Sequence, residues 1–303
     1  MRSLALTLSL LSAYVAATKI VISNDDGWAT AQIRQQFDTL TNAGHDVILS
    51  APAFNQSGKG SLSKTPTTLT EPCEYDTCPT GSPATGFNAS NPRLNYVNGY
   101  PVDAAKFGIQ TLAPQFFNGA KPDFLVSGPN IGTNLGLVVL ISGTVGAACE
   151  AAREGIPAAA FSGTTGSQVS YTTLESDPTA ASSLAAQIYS ELTADFVKAI
   201  TSTPGPLLPD GVIVNVNYAA IDKCPSAASY KWVFSRLMWN IFETDYTTCG
   251  SSHLPHESDV VSQGCYASVS VISSSSKLDV NASLQGQVFD RLTSLPVTCV
   301  GDD

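Results

Sequence analysis

Short apolar runs recur along this chain, and the stretches between them carry apolar residues at helical spacing. Alternation of this kind predicts strands joined by helices. The run 20–28, I-V-I-S-N-D-D-G-W, predicts a strand that delivers two adjacent acidic residues onto a Gly turn. Residues 29–43 follow with Ile33, Phe37 and Leu40 on one helical face and Gly44 as the stop, and 46–50 read as a second strand. Further on, 101–112 predict a helix opened by Pro, 122–127 a strand, 143–154 a helix, 158–162 a strand, 180–201 a long helix and 211–217 another strand. Strand and helix in alternation imply right-handed crossovers, hence an α/β fold of three layers with a doubly wound, mostly parallel sheet.

Two stretches break that rhythm. Residues 51–98 are rich in Pro, Gly, Ser, Thr and Asn, and read as a long active-site loop followed by an excursion with short strands. Beyond residue 218 the pattern loses regularity, although 266–272 again look like a strand. The expectation is a single domain over 18–303, with an α/β core at 18–217 and a β-rich extension at 218–303.

Composition changes the picture in three ways. Residues 1–17 combine an early Arg2, an apolar stretch at 4–11 and the small residues Val15, Ala16 and Ala17, the pattern of a secretory signal peptide. The expected mature protein is therefore secreted, and three N-x-[ST] sequences at Asn55, Asn88 and Asn281 are candidate glycosylation points. The seven Cys residues agree with an oxidising compartment. Cys149 lies in an Ala-rich helical pattern and reads as packing, Cys73 and Cys78 are spaced to close a small loop, and the pairing of Cys224, Cys249, Cys265 and Cys299 stays open. These last four predict an extension stapled by disulfides. The net charge of −10 argues against nucleic acid polymers and anionic membranes as partners.

The chemistry gathers where predicted strands end. Asp25 and Asp26 repel each other unless a cation or a proton sits between them, although Asp-Asp-Gly is also an ordinary turn. In P-D-F-L-V-S-G-P-N-I-G-T-N-L-G at 122–136, Asn130 offers a carbonyl oxygen to a cation. Ser142, Gly143 and Thr144 stand at the start of an Ala-rich helix, where unpaired N–H groups favour an anion such as phosphate and where hydroxyls also serve as plain N-caps. N-Q-S-G-K-G at 55–60 follows the second strand and brings Ser57 toward the Asp pair. Gly58-Lys59 lacks the surroundings of a Walker A loop, and the chain has no G-x-S-x-G or H-E-x-x-H.

Taken together, I-S-N-D-D-G, A-P-x-x-x-Q-S-G-x-G, P-D-F-L-V-S-G-P-N-I-G-T-N-L-G, S-G-T-V-G-A-A-C-E, G-I-P-A-A-A-F-S and V-I-V-N-V-N resemble the SurE family of metal-dependent nucleotide phosphatases. The resemblance covers about residues 19–217 in order and implies a Rossmann-like, SurE-like fold. It implies one divalent cation, Mg2+, Mn2+ or Ca2+, held by Asp25, Asp26, Ser57 and Asn130, and a phosphate bound by Asn130, Ser142, Gly143 and Thr144. The chain departs from the family at Pro129, at Ile141 and in G-Y-P-V-D at 99–103, where G-T-P-x-D is commoner. With its signal peptide and extra Cys it looks like a secreted, fungal-type branch. The family also commonly forms dimers through C-terminal extensions, so a homodimer is one implied assembly.

The function this implies is hydrolysis of small-molecule phosphate monoesters, nucleoside monophosphates first. Asp25 and Asp26 would be the catalytic carboxylates, with Asp25 orienting water or moving the proton and Asp26 chiefly a ligand. A broad acid phosphatase without nucleotide preference and a non-catalytic phosphate or nucleotide binder are the alternatives. Four further residue readings remain open. His253 and His256 are read as general acids or as a surface loop, and Trp28 as a stacking surface or as packing. His45 is read as structural, and Asn215 and Asn217 either as bridging waters beneath the site or as merely ending their strand, and they are left out of the site.

Overall fold

The computed structural model describes residues 17–238, 240 and 242–301, so the expected signal peptide lies, but for its last residue, outside the described residues. Nine strands form one sheet: β1 (Lys19–Ser23), β2 (Asp46–Pro52), β3 (Thr85–Asn88), β4 (Asn91–Val97), β5 (Phe124–Ile131), β6 (Ala158–Gly163), β7 (Val212–Tyr218), β8 (Lys231–Ser235) and β9 (Tyr266–Ser273). Their spatial order is β3-β4-β2-β1-β5-β6-β7-β9-β8. The central strands pair in parallel, and β3 and β9 run antiparallel to their neighbours β4 and β7. The chain winds outward from β1 through β2 to β4, then starts again at β5 on the other side. The point where winding reverses therefore lies between β1 and β5, where open α/β sheets place their ligand crevice.

Helices cover both faces. The described helices are α1 (Ala31–Asn42), α2 (Pro101–Phe107), α3 (Ala113–Phe116), α4 (Gly143–Arg153), α5 (Thr173–Ser176), α6 (Ala181–Thr201), α7 (Glu257–Gln263) and α8 (Ala282–Phe289). The pair α1 and α6 packs on one face over Ile20, Ile22, Phe161 and Val214, and α2 and α4 pack on the other over Val21, Ile48, Leu125 and Ala160. Alternate residues of β1 thus feed opposite layers, as strand geometry requires. The predicted helix at 101–112 begins as expected with Pro101, then passes through one wider turn at Gly108–Leu112 before α3.

The C-terminal part extends the sheet instead of standing apart from it. The strand expected at 266–272 is β9, and its antiparallel pairing with β7 carries the sheet into β8, which the sequence pattern did not single out. Cys73 pairs with Cys78, Cys224 with Cys265 and Cys249 with Cys299, which resolves the pairing left open above, while Cys149 is free and buried. A buried ion pair adds to the staples. Arg236 meets both oxygens of Asp245 at 2.9 and 2.8 Å, and Asp245 also accepts from the Leu254 N–H and from Gln285. Breaking one partner of such a pair strands the other charge, at a cost of about 3–5 kcal/mol. Arg236→Met is expected to lower stability by about that amount in urea unfolding, and a loss under about 1 kcal/mol would count against this anchoring role.

Candidate active site

Strand β1 ends by placing Asn24, Asp25 and Asp26 at the crevice, all buried. Asn24 closes the turn, its amide donating to the Gly27 carbonyl at 3.0 Å and its own carbonyl accepting the Gly27 N–H at 3.2 Å. The two carboxylates then look to different elements. Asp25 accepts the Thr144 hydroxyl at 2.6 Å and the Gly143 N–H at 3.2 Å, both from the first turn of α4. Asp26 accepts the Ile131 N–H at 2.9 Å from the end of β5 and the Gln168 amide at 2.5 Å. Burial pushes both carboxyls above the usual range, Asp26 further because the Asp25 charge adds to it. The helix start therefore serves Asp25 as an internal counter-charge.

Close approach makes this possible. A Cβ on Gly143 would lie 2.8 Å from both the Asp25 Cβ and the Pro101 Cγ, so only Gly lets α4 come this near to the pair. The same helix presses Gly146 against the Gly60 carbonyl, which fixes the loop after β2 beside it. That loop is tied to the pair through the Gln56 N–H, which donates to the Asp25 carbonyl at 2.7 Å. Ser57 follows on it, exposed, its N–H held by Asn55 at 2.8 Å and its hydroxyl without a hydrogen bond among the described residues. Asn130 sits where β5 slips register against β6, and its amide donates to the Gly132 carbonyl at 2.7 Å and more weakly to Ile131, leaving its own carbonyl oxygen unengaged.

These donors suit a hard cation. The two buried carboxylates, the Ser57 hydroxyl and the Asn130 amide oxygen are all oxygen donors, the type a hard cation takes. Among the described residues no three His, Cys, Asp or Glu side chains gather at metal-ligand spacing. Ser142 caps α4 by accepting the Val145 N–H at 3.1 Å, the plain N-cap role, and its hydroxyl proton is left free.

Several residues here carried no signal in the sequence. Gln168 reaches Asp26 from 142 positions away. Glu74, inside the Cys73–Cys78 loop, packs its carboxylate where a Cβ on Gly27 would be; burial pushes it up to about 8, and its Oε2 has no hydrogen-bond partner. The loop between Asn130 and Ser142 hangs from a buried polar network. Asn134 gives its N–H to Asn217 at 2.8 Å and its amide to Ser162 at 2.7 Å, and its carbonyl accepts from Asn215 and Asn217. Glu257 at the start of α7 accepts the Gly136 N–H at 2.6 Å, Ser270 at 2.9 Å and Asn215 at 3.2 Å. Asn215 and Asn217, set aside as strand-end residues, thus support the site from beneath.

Two aromatic and histidine readings resolve toward structure. Trp28 is buried, donates its indole N–H to Thr77 at 3.1 Å and packs on Tyr96, so it is packing and offers no stacking face. His256 caps α7 through the Ser258 N–H, and His253 is exposed on the loop before it.

The family described as Survival protein SurE matches residues 20–243. An acid phosphatase of Yarrowia lipolytica is 35% identical over 285 residues, covering 84% of this chain and 79% of its own length. A 5'-nucleotidase SurE of Lawsonia intracellularis is 33% identical over 202 residues, covering 67% of this chain and 66% of its own. The crystal structure of the SurE protein from Aquifex aeolicus superposes with a TM-score of 0.57 at 22% identity, over 84% of this chain and 93% of that one, a likeness of fold.

The Glu257 network has a pH signature. Burial pushes its carboxyl from an ordinary 4.5 up to about 8, against the pull of its three donors. Between those values the folded state holds more protons than the unfolded one, so stability falls as pH rises through the window. The contribution is at most about 5 kcal/mol across it. Urea unfolding of Glu257→Gln between about pH 5 and about 8 is expected to show a shallower fall than the parent; parallel curves would remove the assignment.

Proposed function

The chain belongs to the SurE family, and from that membership we propose that it is an exported, divalent-cation-dependent phosphomonoesterase acting on nucleoside monophosphates and other small phosphate monoesters. The observation that carries the proposal is the buried Asp25–Asp26 pair at the reversal point of the sheet, with the start of α4 directed onto it. Asp25, Asp26, Ser57 and Asn130 would hold the cation. When bound, Mg2+, Mn2+ or Ca2+ supplies polarisation of a phosphoryl oxygen and a lowered pKa for a bound water.

The protein's own groups do the rest. Asp25, locked between Thr144 and Gly143, is held in one orientation and acts as the water-orienting carboxylate, while Asp26, fixed by Ile131 and Gln168, chiefly anchors. The Ser142 hydroxyl donates to a phosphate oxygen and steadies the charge that grows there, while the Gly143 N–H and the Thr144 hydroxyl stay on Asp25. Export is supported by three disulfides, which persist in oxidising compartments, together with the leader at 1–17.

Two observations favour a broader acid phosphatase as the second reading. Trp28, the aromatic beside the pair in sequence, is buried and unavailable to a nucleobase, and the acid phosphatase relative aligns over more of the chain than the nucleotidase does. Phosphate release from nucleoside monophosphates and from an aryl phosphate, with Mg2+ or Mn2+ and with a chelator, separates these outcomes. Asp25→Asn and Asp26→Asn are each expected to lower turnover at least about 100-fold. Activity that persists in both variants would overturn the proposal.

A further inference from the structure

A phosphate monoester brings about two negative charges to a crevice that already holds Asp25 and Asp26, with the Glu74 carboxyl close enough to act on Asp26. The Gly143 N–H and the Thr144 hydroxyl are already committed to Asp25. Beside the cation those carboxylates would hold and the Ser142 hydroxyl, any further attraction for the incoming anion has to come from outside the pair. The chain has ten more acidic than basic residues, so an unneutralised cluster of lysines is unexpected.

Such a cluster borders the site. The Lys59 and Lys64 ammonium groups lie 5.6 and 4.8 Å from the centre of the same Tyr100 ring. Neither has a carboxylate within salt-bridge distance among the described residues, and Lys64 is exposed. Like charges drawn onto one ring repel, and the ring face offsets only part of that cost. The arrangement is imposed by Asp103, whose carboxylate takes the Ser63 hydroxyl at 2.5 Å, the Lys64 N–H at 3.0 Å and the Tyr100 N–H at 2.9 Å. Asp103 is thus spent on fastening the 61–64 loop to the first turn of α2. Tyr100 precedes Pro101, which packs at the Gly143 and Asp25 contact, and Lys59 lies two residues beyond Ser57. Tyr100 is also a position where the chain departs from the pattern it resembles.

We propose that Lys59 and Lys64, gathered on Tyr100, form an anion subsite that receives the phosphate group of the substrate and retains inorganic phosphate after hydrolysis. The assignment rests on the phosphomonoesterase reading for its substrate and on the lysine geometry for its location. Lys59 and Lys64 are binding residues, Tyr100 their platform, and Asp103 a positioning residue that acts through the backbone of the loop.

The test uses the mature chain with Lys59→Met, Lys64→Met and the double substitution, which keep the apolar stems and remove the charges. Inorganic phosphate affinity by calorimetry is expected to fall about tenfold for each lysine, with KM for an aryl phosphate rising in parallel and kcat within about twofold. Lys→Arg at either position should restore most of the affinity, and the salt dependence of KM should flatten in the double variant. Lys198→Met, on α6, controls for net charge. Phosphate affinity and KM within about twofold of the parent in a double variant with unchanged thermal unfolding would overturn the subsite. Phosphate binding that weakens as expected in a protein that hydrolyses no monoester would keep the subsite and remove the phosphatase reading instead.

Discussion

Two carboxylates buried side by side are the constraint around which this molecule is arranged. Neither Asp25 nor Asp26 tolerates such a place without donors, and each recruits them from a different quarter: α4 for the first, the end of β5 and the 164–172 loop for the second. The need for N–H groups at the pair explains why α4 begins with Gly143, and the resulting closeness explains why Gly146 meets the loop after β2. Elements brought together to satisfy charge therefore become the walls of the crevice. A cation at the pair would complete what the donors begin, because hydrogen bonds alone only partly replace lost hydration.

Much of this was legible in the chain. The strands of the core are short apolar runs, and the polar residues at their ends mark the crevice because the backbone leaves the sheet there. At those ends Gly143 and Thr144 meet Asp25, and Ile131, the neighbour of Asn130, meets Asp26. Ser57 stands on the loop tied to Asp25 by its neighbour Gln56. What stayed hidden depends on contacts between residues far apart in sequence. Gln168 lies in a loop of small polar residues that resembles any other surface loop, and Glu257 begins a short helix in the part of the chain with least periodicity. β8 was missed for a related reason: it is short, sits at the sheet edge, and pairs with a strand that comes later in the chain.

The hydroxyls and histidines teach a narrower lesson. Ser142 and His256 each cap a helix, so residues with catalytic potential are also meeting the routine demand of unpaired N–H groups. For His256 that role accounts for the residue. For Ser142 it leaves a hydroxyl proton at the mouth of the site, and position rather than residue type separates the two. Trp28 is a similar case, since its ring is spent on Tyr96 and Thr77.

The suspension of Asn134 and Gly136 from Asn215, Asn217 and Glu257 sets an order of events in the making of the protein. A chain emerging from its N-terminus carries Asp25, Asp26, Ser57, Asn130 and Thr144 well before Glu257 and β9 exist. Until the last third of the chain docks, the loop between Asn130 and Ser142 lacks the hooks that hold Asn134 and Gly136. A protein built this way settles the loop between Asn130 and Ser142 late, only as the C-terminal part folds and its cysteines pair.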